Sequence, residues 1–189
     1  AIQVMAAGNW GLKSTDATDV TLSDSVLLAN GYGGIRVDGG SVSVSTTDLS
    51  GNTAYGALAT GGAELTLSES IIGATTQDEA GDGSDGVGIR VEDGALLTTN
   101  SNEIASNAFL NVWAEEADLH MSGDQITGGL YGIASVYGDL TMSGLTITDG
   151  FLYGVFAVTQ TFIDISDTQV TGDPEATQNV PDDEDGDGY

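Results

Sequence analysis

A chain of 189 residues suits one domain with a sizeable core, and an apolar share of 40% is too high for a disordered chain. Only 3 residues are basic against 29 acidic ones, a formal charge of -26. That surface argues against nucleic acid and anionic lipid as partners, and favours cations such as Ca²⁺ or a high-salt setting. The absence of Cys excludes disulfides and thiolate metal sites, and no apolar run approaches the ~20 residues of a membrane-spanning helix, so membrane insertion is not expected.

In chain order, Val4 and Trp10-Gly11-Leu12 come first, and they are the closing part of a coil whose pattern is complete only from residue 20 onward. There an alternating apolar pair, Val20-x-Leu22, returns as Val42-x-Val44, Leu65-x-Leu67, Leu97-x-Thr99, Leu119-x-Met121, Leu140-x-Met142 and Ile163-x-Ile165. The intervals are 22, 23, 32, 22, 21 and 23 residues. Seven positions after each pair begins stands another apolar residue: Leu27, Leu49, Ile72, Ile104, Ile126, Ile147, Val170. A third alternating stretch completes the coil, as in Ile35-x-Val37, Ala57-x-Ala59, Ile89-x-Val91, Val112-x-Ala114, Ile133-x-Ser135 and Val155-x-Ala157.

Three short period-2 strands in ~22 residues cannot form three separate sheets. Each strand can pair only with its equivalents in the coils above and below, at ~4.8 Å spacing. The fold class is therefore all-β: a right-handed parallel β-helix, or β-solenoid, of six full coils with a partial coil at each end. Gly is abundant at 28 residues, and a Gly just before the third strand (Tyr55-Gly56, Tyr131-Gly132, Tyr153-Gly154) supplies a left-handed or otherwise cramped corner. Asn30, Asn52 and Asn107 fall in one column, where stacked side chains can bond along the axis.

The chain opens midway through a coil. An uncovered solenoid end is a sheet edge that invites pairing, so a longer protein or a covering partner at the coil ends is expected. The third coil carries an acidic insertion, Gln77 to Asp85, which is read as a loop. Residues 1–172 are assigned to the solenoid and 173–189 to an acidic tail or linker. In that tail Asp183, Asp185 and Asp187 take places 1, 3 and 5 of a calcium loop, Gly188 takes place 6, and Tyr189 would offer its carbonyl at place 7. The acid expected at place 12 has no counterpart in the 189 residues.

The coil pattern over residues 2–172 resembles the pectate-lyase-like right-handed β-helix superfamily, especially its bacterial secreted and surface repeat proteins. The tail resembles the start of the Asp/Gly-rich calcium repeats of dockerin-like and thrombospondin-type-3-like modules. The first resemblance implies an extracellular or cell-surface setting, with polysaccharide lyases, hydrolases and non-catalytic adhesins all among the relatives; fold alone does not choose. Lyases of this kind use Asp-bound Ca²⁺ with an Arg or Lys base, and the hydrolases use clustered Asp carboxylates. Here Asp24, Asp48, Glu69, Asp124 and Asp167 drift in register by a residue or two, so they are read as solvated turn acids. His120, the single His, occupies an outward strand position with no partner motif. No catalytic residue is assigned and no cofactor is required, with Ca²⁺ confined to the tail.

The functional expectation is a non-catalytic scaffold or adhesive module; the alternative is a carbohydrate-active β-helix enzyme or its glycan-binding remnant. The working surface is placed on the outward column of the third strand: Lys13, Arg36, Leu58, Arg90, Trp113, Ala134, Phe156. Val136 and Val158 flank it and complete an exposed apolar stripe. Arg36 with Asp38 and Arg90 with Glu92 are read as same-strand ion pairs, and Arg90, beside Trp113 on the next coil, is placed to stack on a sugar or a partner side chain. A protein partner, self-association or a glycan would use this face.

Overall fold

The computed structural model describes residues 1–77, 85–148, 152–171 and 177–180. Among the described residues every strand pairing is parallel, and each joins equivalent strands of successive coils. The first-strand sheet begins at Val20–Ser23 and runs through Ser41–Ser45, Glu64–Ser68, Leu96–Asn100 and Asp118–Ser122. The third-strand sheet runs from Trp10–Thr15 through Gly33–Asp38, Tyr55–Thr60, Val87–Glu92 and Leu110–Glu115. In the last coils the two sheets merge. Tyr131–Ser143 and Tyr153–Ser166 each serve as a third strand and then, past a bend, as the next first strand.

The short second strands include Val26–Leu28, Ile71–Gly73, Glu103–Ala105, Gln125–Thr127, Thr146–Thr148 and Gln169–Thr171. Asp48 fills the missing rung between Val26 and Ile71 with single bridges. The coil insertion leaves the ladder intact, since Ala57 still pairs with Ile89. The ladder also extends past the boundary expected at residue 172: Thr177–Val180 pairs with Val155–Val158. A strand added to a sheet edge needs only backbone groups, so its Thr-Gln-Asn-Val sequence carries no apolar alternation to announce it.

The repeat columns become the core. Val42, Leu65, Leu97, Leu119 and Leu140 are neighbours rung by rung, and all are buried. From first to second strand the chain turns at Asp24, Thr46, Glu69, Ser101, Gly123, Gly144 and Asp167, all with positive φ. One left-handed residue makes this corner in each coil; Gly takes it without cost and Asp tolerates it, while Thr46 and Glu69 adopt it against their own preference.

The glycines before the third strand serve a different need. Gly34 and Gly56 do not have positive φ, but a Cβ on Gly34 would lie 2.5 Å from the Gly56 carbonyl oxygen, and one on Gly56 would lie 2.6 Å from that of Gly88. The next coil's backbone crosses directly over each Cα. Crowding, not handedness, requires Gly there.

Two polar columns run inside the wall. Asn30 donates its backbone N–H and Nδ2 to Asn52 Oδ1, each at 2.9 Å, and Asn52 Nδ2 donates to the carbonyls of Leu27 and Leu49. Further along, Thr75 donates to Asn107 Oδ1, and Asn107 Nδ2 donates to Asn111. The second column reads Ser25, Thr47, Ser70, Asn102, Asp124, and hydrogen bonds link its members from Thr47 to Asp124 coil by coil. Asp124 is therefore not a solvated turn acid. It is fully buried, and its carboxylate accepts from the Asn102 backbone N–H, Asn102 Nδ2 and Thr99 Oγ1. Burial raises its pKa above the usual carboxylate value, against the pull of those bonds.

Candidate functional site

The third-strand face is built by register. Lys13, Arg36, Leu58, Arg90, Trp113, Ala134 and Phe156 are consecutive rungs of one outward column. Beside it, Glu92, Glu115, Val136 and Val158 form the next outward column. All the ligand-face residues singled out in the sequence thus lie on one surface, which divides into a charged half and an apolar half.

In the charged half every basic side chain is paired. Lys13 Nζ lies 3.1 Å and Arg36 Nε 2.6 Å from the Asp38 carboxylate. Burial works against the charge on Asp38, but the hydrogen bonds of Arg36 and Lys13 outweigh it and hold the carboxyl below its ordinary value. Arg90 Nε lies 2.6 Å from Glu92, and its Nη2 reaches Glu115 at 3.6 Å. The guanidinium stands 4.4 Å from the Trp113 ring centroid, in cation–π range. Tyr55 adds an electrostatic interaction with Arg90, and burial pushes the Tyr55 phenol up, so it stays neutral at physiological pH. Arg90 is thereby held on four sides, with 17% of its side chain exposed.

The apolar half differs from the exposed stripe expected from the sequence. Leu58 and Ala134 are buried, at 5% and 7%, while Trp113, Val136, Phe156 and Val158 are half-buried. The cover comes from aromatic side chains at the start of the third strands. Phe109 meets Trp113 and Tyr131 edge-on, and Tyr131 packs against Tyr153 and Phe156. Phe109, Trp113, Tyr131 and Phe156 join Leu110 and Val87 in a second hydrophobic cluster outside the solenoid core.

One small residue breaks this cover. Ala134 lies between Trp113 and Phe156 in the column, and alternate rungs are ~9.6 Å apart. The missing side chain leaves a notch of about 160 Å³, walled by Phe109, Leu110, Trp113, Tyr131, Val136 and Phe156. Phe109, Leu110 and Tyr131 are additions to the site expected from the sequence. For Tyr131 the signal is the aromatic before Gly132, which in the sequence marks only a corner; Phe109-Leu110-Asn111 departs from that pattern and announces nothing.

The remaining candidates do not converge. Asp24, Glu69 and Asp167 sit at left-handed corners, Asp48 in a second-strand bridge, and Asp124 in the interior. His120 is exposed on the first-strand face between Thr98 and Thr141. Among the described residues no three His, Cys, Asp or Glu side chains gather as a metal site. Asp183, Asp185, Asp187 and Tyr189 lie outside the described residues, as do 78–84 of the insertion.

The profile of the family described as "Right handed beta helix region" matches residues 8–173 of the chain. Comparison with curated proteins gave no match, and comparison with solved structures gave none.

Proposed function

The chain belongs to the right-handed beta helix family, and from that premise we propose a non-catalytic scaffold or adhesive module, extracellular or at the cell surface, whose third-strand face contacts its partner. The observation that carries this reading is the notch over Ala134: a concave apolar site on an otherwise acidic solenoid. Its chemistry favours binding over turnover. No carboxylate lines the notch, and the one cation beside it, Arg90, is engaged by Glu92, Glu115 and Tyr55 rather than free as a base. A glycan stacking on the Arg90 side of Trp113 would have to displace the guanidinium from that face of the ring. No cofactor enters this role. Ca²⁺ belongs to the proposal only through Asp183, Asp185, Asp187 and the Tyr189 carbonyl, as a separate function of the tail.

The test is an assay for the chemistry that the reading denies. The chain is incubated with uronate and neutral polysaccharides, with and without Ca²⁺, and new double bonds and reducing ends are measured. Neither is expected to rise. A rise abolished by Arg90→Ala would establish the carbohydrate-active alternative instead.

A further inference from the structure

We propose that the notch between Trp113 and Phe156 is the docking point for a cationic polypeptide segment that inserts one aliphatic or aromatic side chain. The proposal rests on the third-strand face being the working surface and names the class of partner it takes.

Size and lining come first. A volume of about 160 Å³ compares with the ~150 Å³ apolar cavity that admits a benzene ring, so one ring or branched aliphatic side chain fills it. Of the seven lining residues, Ala134, Leu110, Val136, Phe109 and Phe156 offer no hydrogen-bonding side chain, and Trp113 and Tyr131 line the notch almost wholly with ring carbon. Sugar hydroxyls seated there would lose water without replacement, whereas a hydrocarbon side chain loses nothing.

Charge then selects the bearer of that side chain. Glu115 and Glu116 are exposed at the rim: Glu115 is the rung before Val136, and the Glu116 N–H donates to the Val136 carbonyl at 2.8 Å. The single positive charge of Arg90 is shared between Glu92 and Glu115, so the rim keeps a net negative charge. The chain as a whole carries -26. A second copy would bring the same charge to the contact and be repelled, while a Lys- or Arg-rich segment is drawn in.

Trp113 makes the test direct. Trp10 is the only other Trp, so Trp10→Phe leaves Trp113 as the sole indole emitter. The probe is a capped seven-residue peptide alternating Lys and Leu with Phe at its centre. Two control peptides replace every apolar residue by Ser or every Lys by Glu. The Lys/Leu/Phe peptide is expected to shift Trp113 emission saturably. Either control should bind at least tenfold more weakly, and 0.5 M salt should weaken the main peptide. Ala134→Leu, which fills the notch, should abolish the shift. Glu115→Gln with Glu116→Gln should weaken it several-fold while leaving the lining intact, and far-ultraviolet circular dichroism checks that both variants fold. Equal binding of the Lys and Glu peptides overturns the cationic partner. A shift with neutral or uronate oligosaccharides alone also overturns it, but leaves the working face standing. If no peptide, oligosaccharide or second copy moves Trp113 emission, both readings fall.

Discussion

Asn52 offers the sharpest test of how the coils are held together. Its side chain is fully buried. Oδ1 accepts from the Asn30 backbone N–H and Asn30 Nδ2, and Nδ2 donates to the Leu27 carbonyl at 2.9 Å and the Leu49 carbonyl at 2.8 Å. Asn52→Leu keeps the branching at Cγ and removes all four bonds. At a net ~1 kcal/mol per bond the loss is about 4 kcal/mol, a large share of the 5–15 kcal/mol typical of a domain. Because each coil touches only its neighbours, the damage is expected locally, between the coils of Asn30 and Asn52. Urea unfolding followed by circular dichroism gives the total loss. Amide exchange at Thr53, whose N–H donates to the Asn30 carbonyl, gives the local one. Asn52→Asp provides a sign check. Its second oxygen would face two carbonyls, so the folded state favours the protonated acid. Its stability should be highest below the unfolded value near ~3.9 and fall as pH rises through the raised folded value. An Asn52→Leu variant within ~1 kcal/mol of the parent, with unchanged exchange at Thr53, would refute the ladder as a stabilising element.

Leu119→Asp places a carboxylate in the buried column between Leu97 and Leu140; a loss of several kcal/mol is expected in denaturant unfolding, and a loss under ~1 kcal/mol would contradict the burial. Asp124→Asn keeps the Oδ1 acceptor for Asn102 and turns Nδ2 toward the Thr99 hydroxyl, which can accept. Burial raises the Asp124 pKa, so the native chain loses stability as pH rises from the unfolded value through the folded one. The variant should therefore melt a few degrees higher than the parent at about pH 7, with the gap closing near ~pH 3; a lower melting temperature at neutral pH would sink the argument. Calorimetric titration of the 189-residue chain with Ca²⁺ should give weak heat at most, since Asp183, Asp185, Asp187 and the Tyr189 carbonyl supply only part of a calcium loop's ligands. Saturable heat removed by Asp185→Asn would show that the three carboxylates suffice.

The core is legible in the sequence because a parallel solenoid writes the same side-chain alternation at every turn. Leu65, Leu97 and Leu119 announce their stacking by spacing alone. Asp124 is misplaced by spacing, because its one-residue offset from Glu69 looks like drift in a solvated turn. In an alternating structure one residue changes the face: Glu69 occupies the left-handed corner, and Asp124 occupies the next, interior column. Ser25, Thr47, Ser70 and Asn102 in that same column are the available clue. The basic and apolar outward residues emerge by column, but the notch does not. It depends on the absent bulk of Ala134 and on Phe109, Leu110 and Tyr131 arriving from the strand start. Lateral packing of this kind has no periodic signature.

Solenoid, notch and docking proposal all rest on the register that puts Ala134 between Trp113 and Phe156. The chain has no Cys, so introduced pairs report distance without interference. Glu115→Cys with Val136→Cys joins adjacent rungs of one outward column, whose spacing of ~4.8 Å falls in the range a disulfide spans. Glu115→Cys with Val158→Cys spans two rungs, at ~9.6 Å, beyond that range. On mild oxidation the first pair should close within the monomer, as read by mass spectrometry of the digested chain, and the second should stay reduced. Closure of the Glu115–Val158 pair, or of Glu115→Cys with Tyr137→Cys in preference to Val136→Cys, would contradict the register and with it the notch.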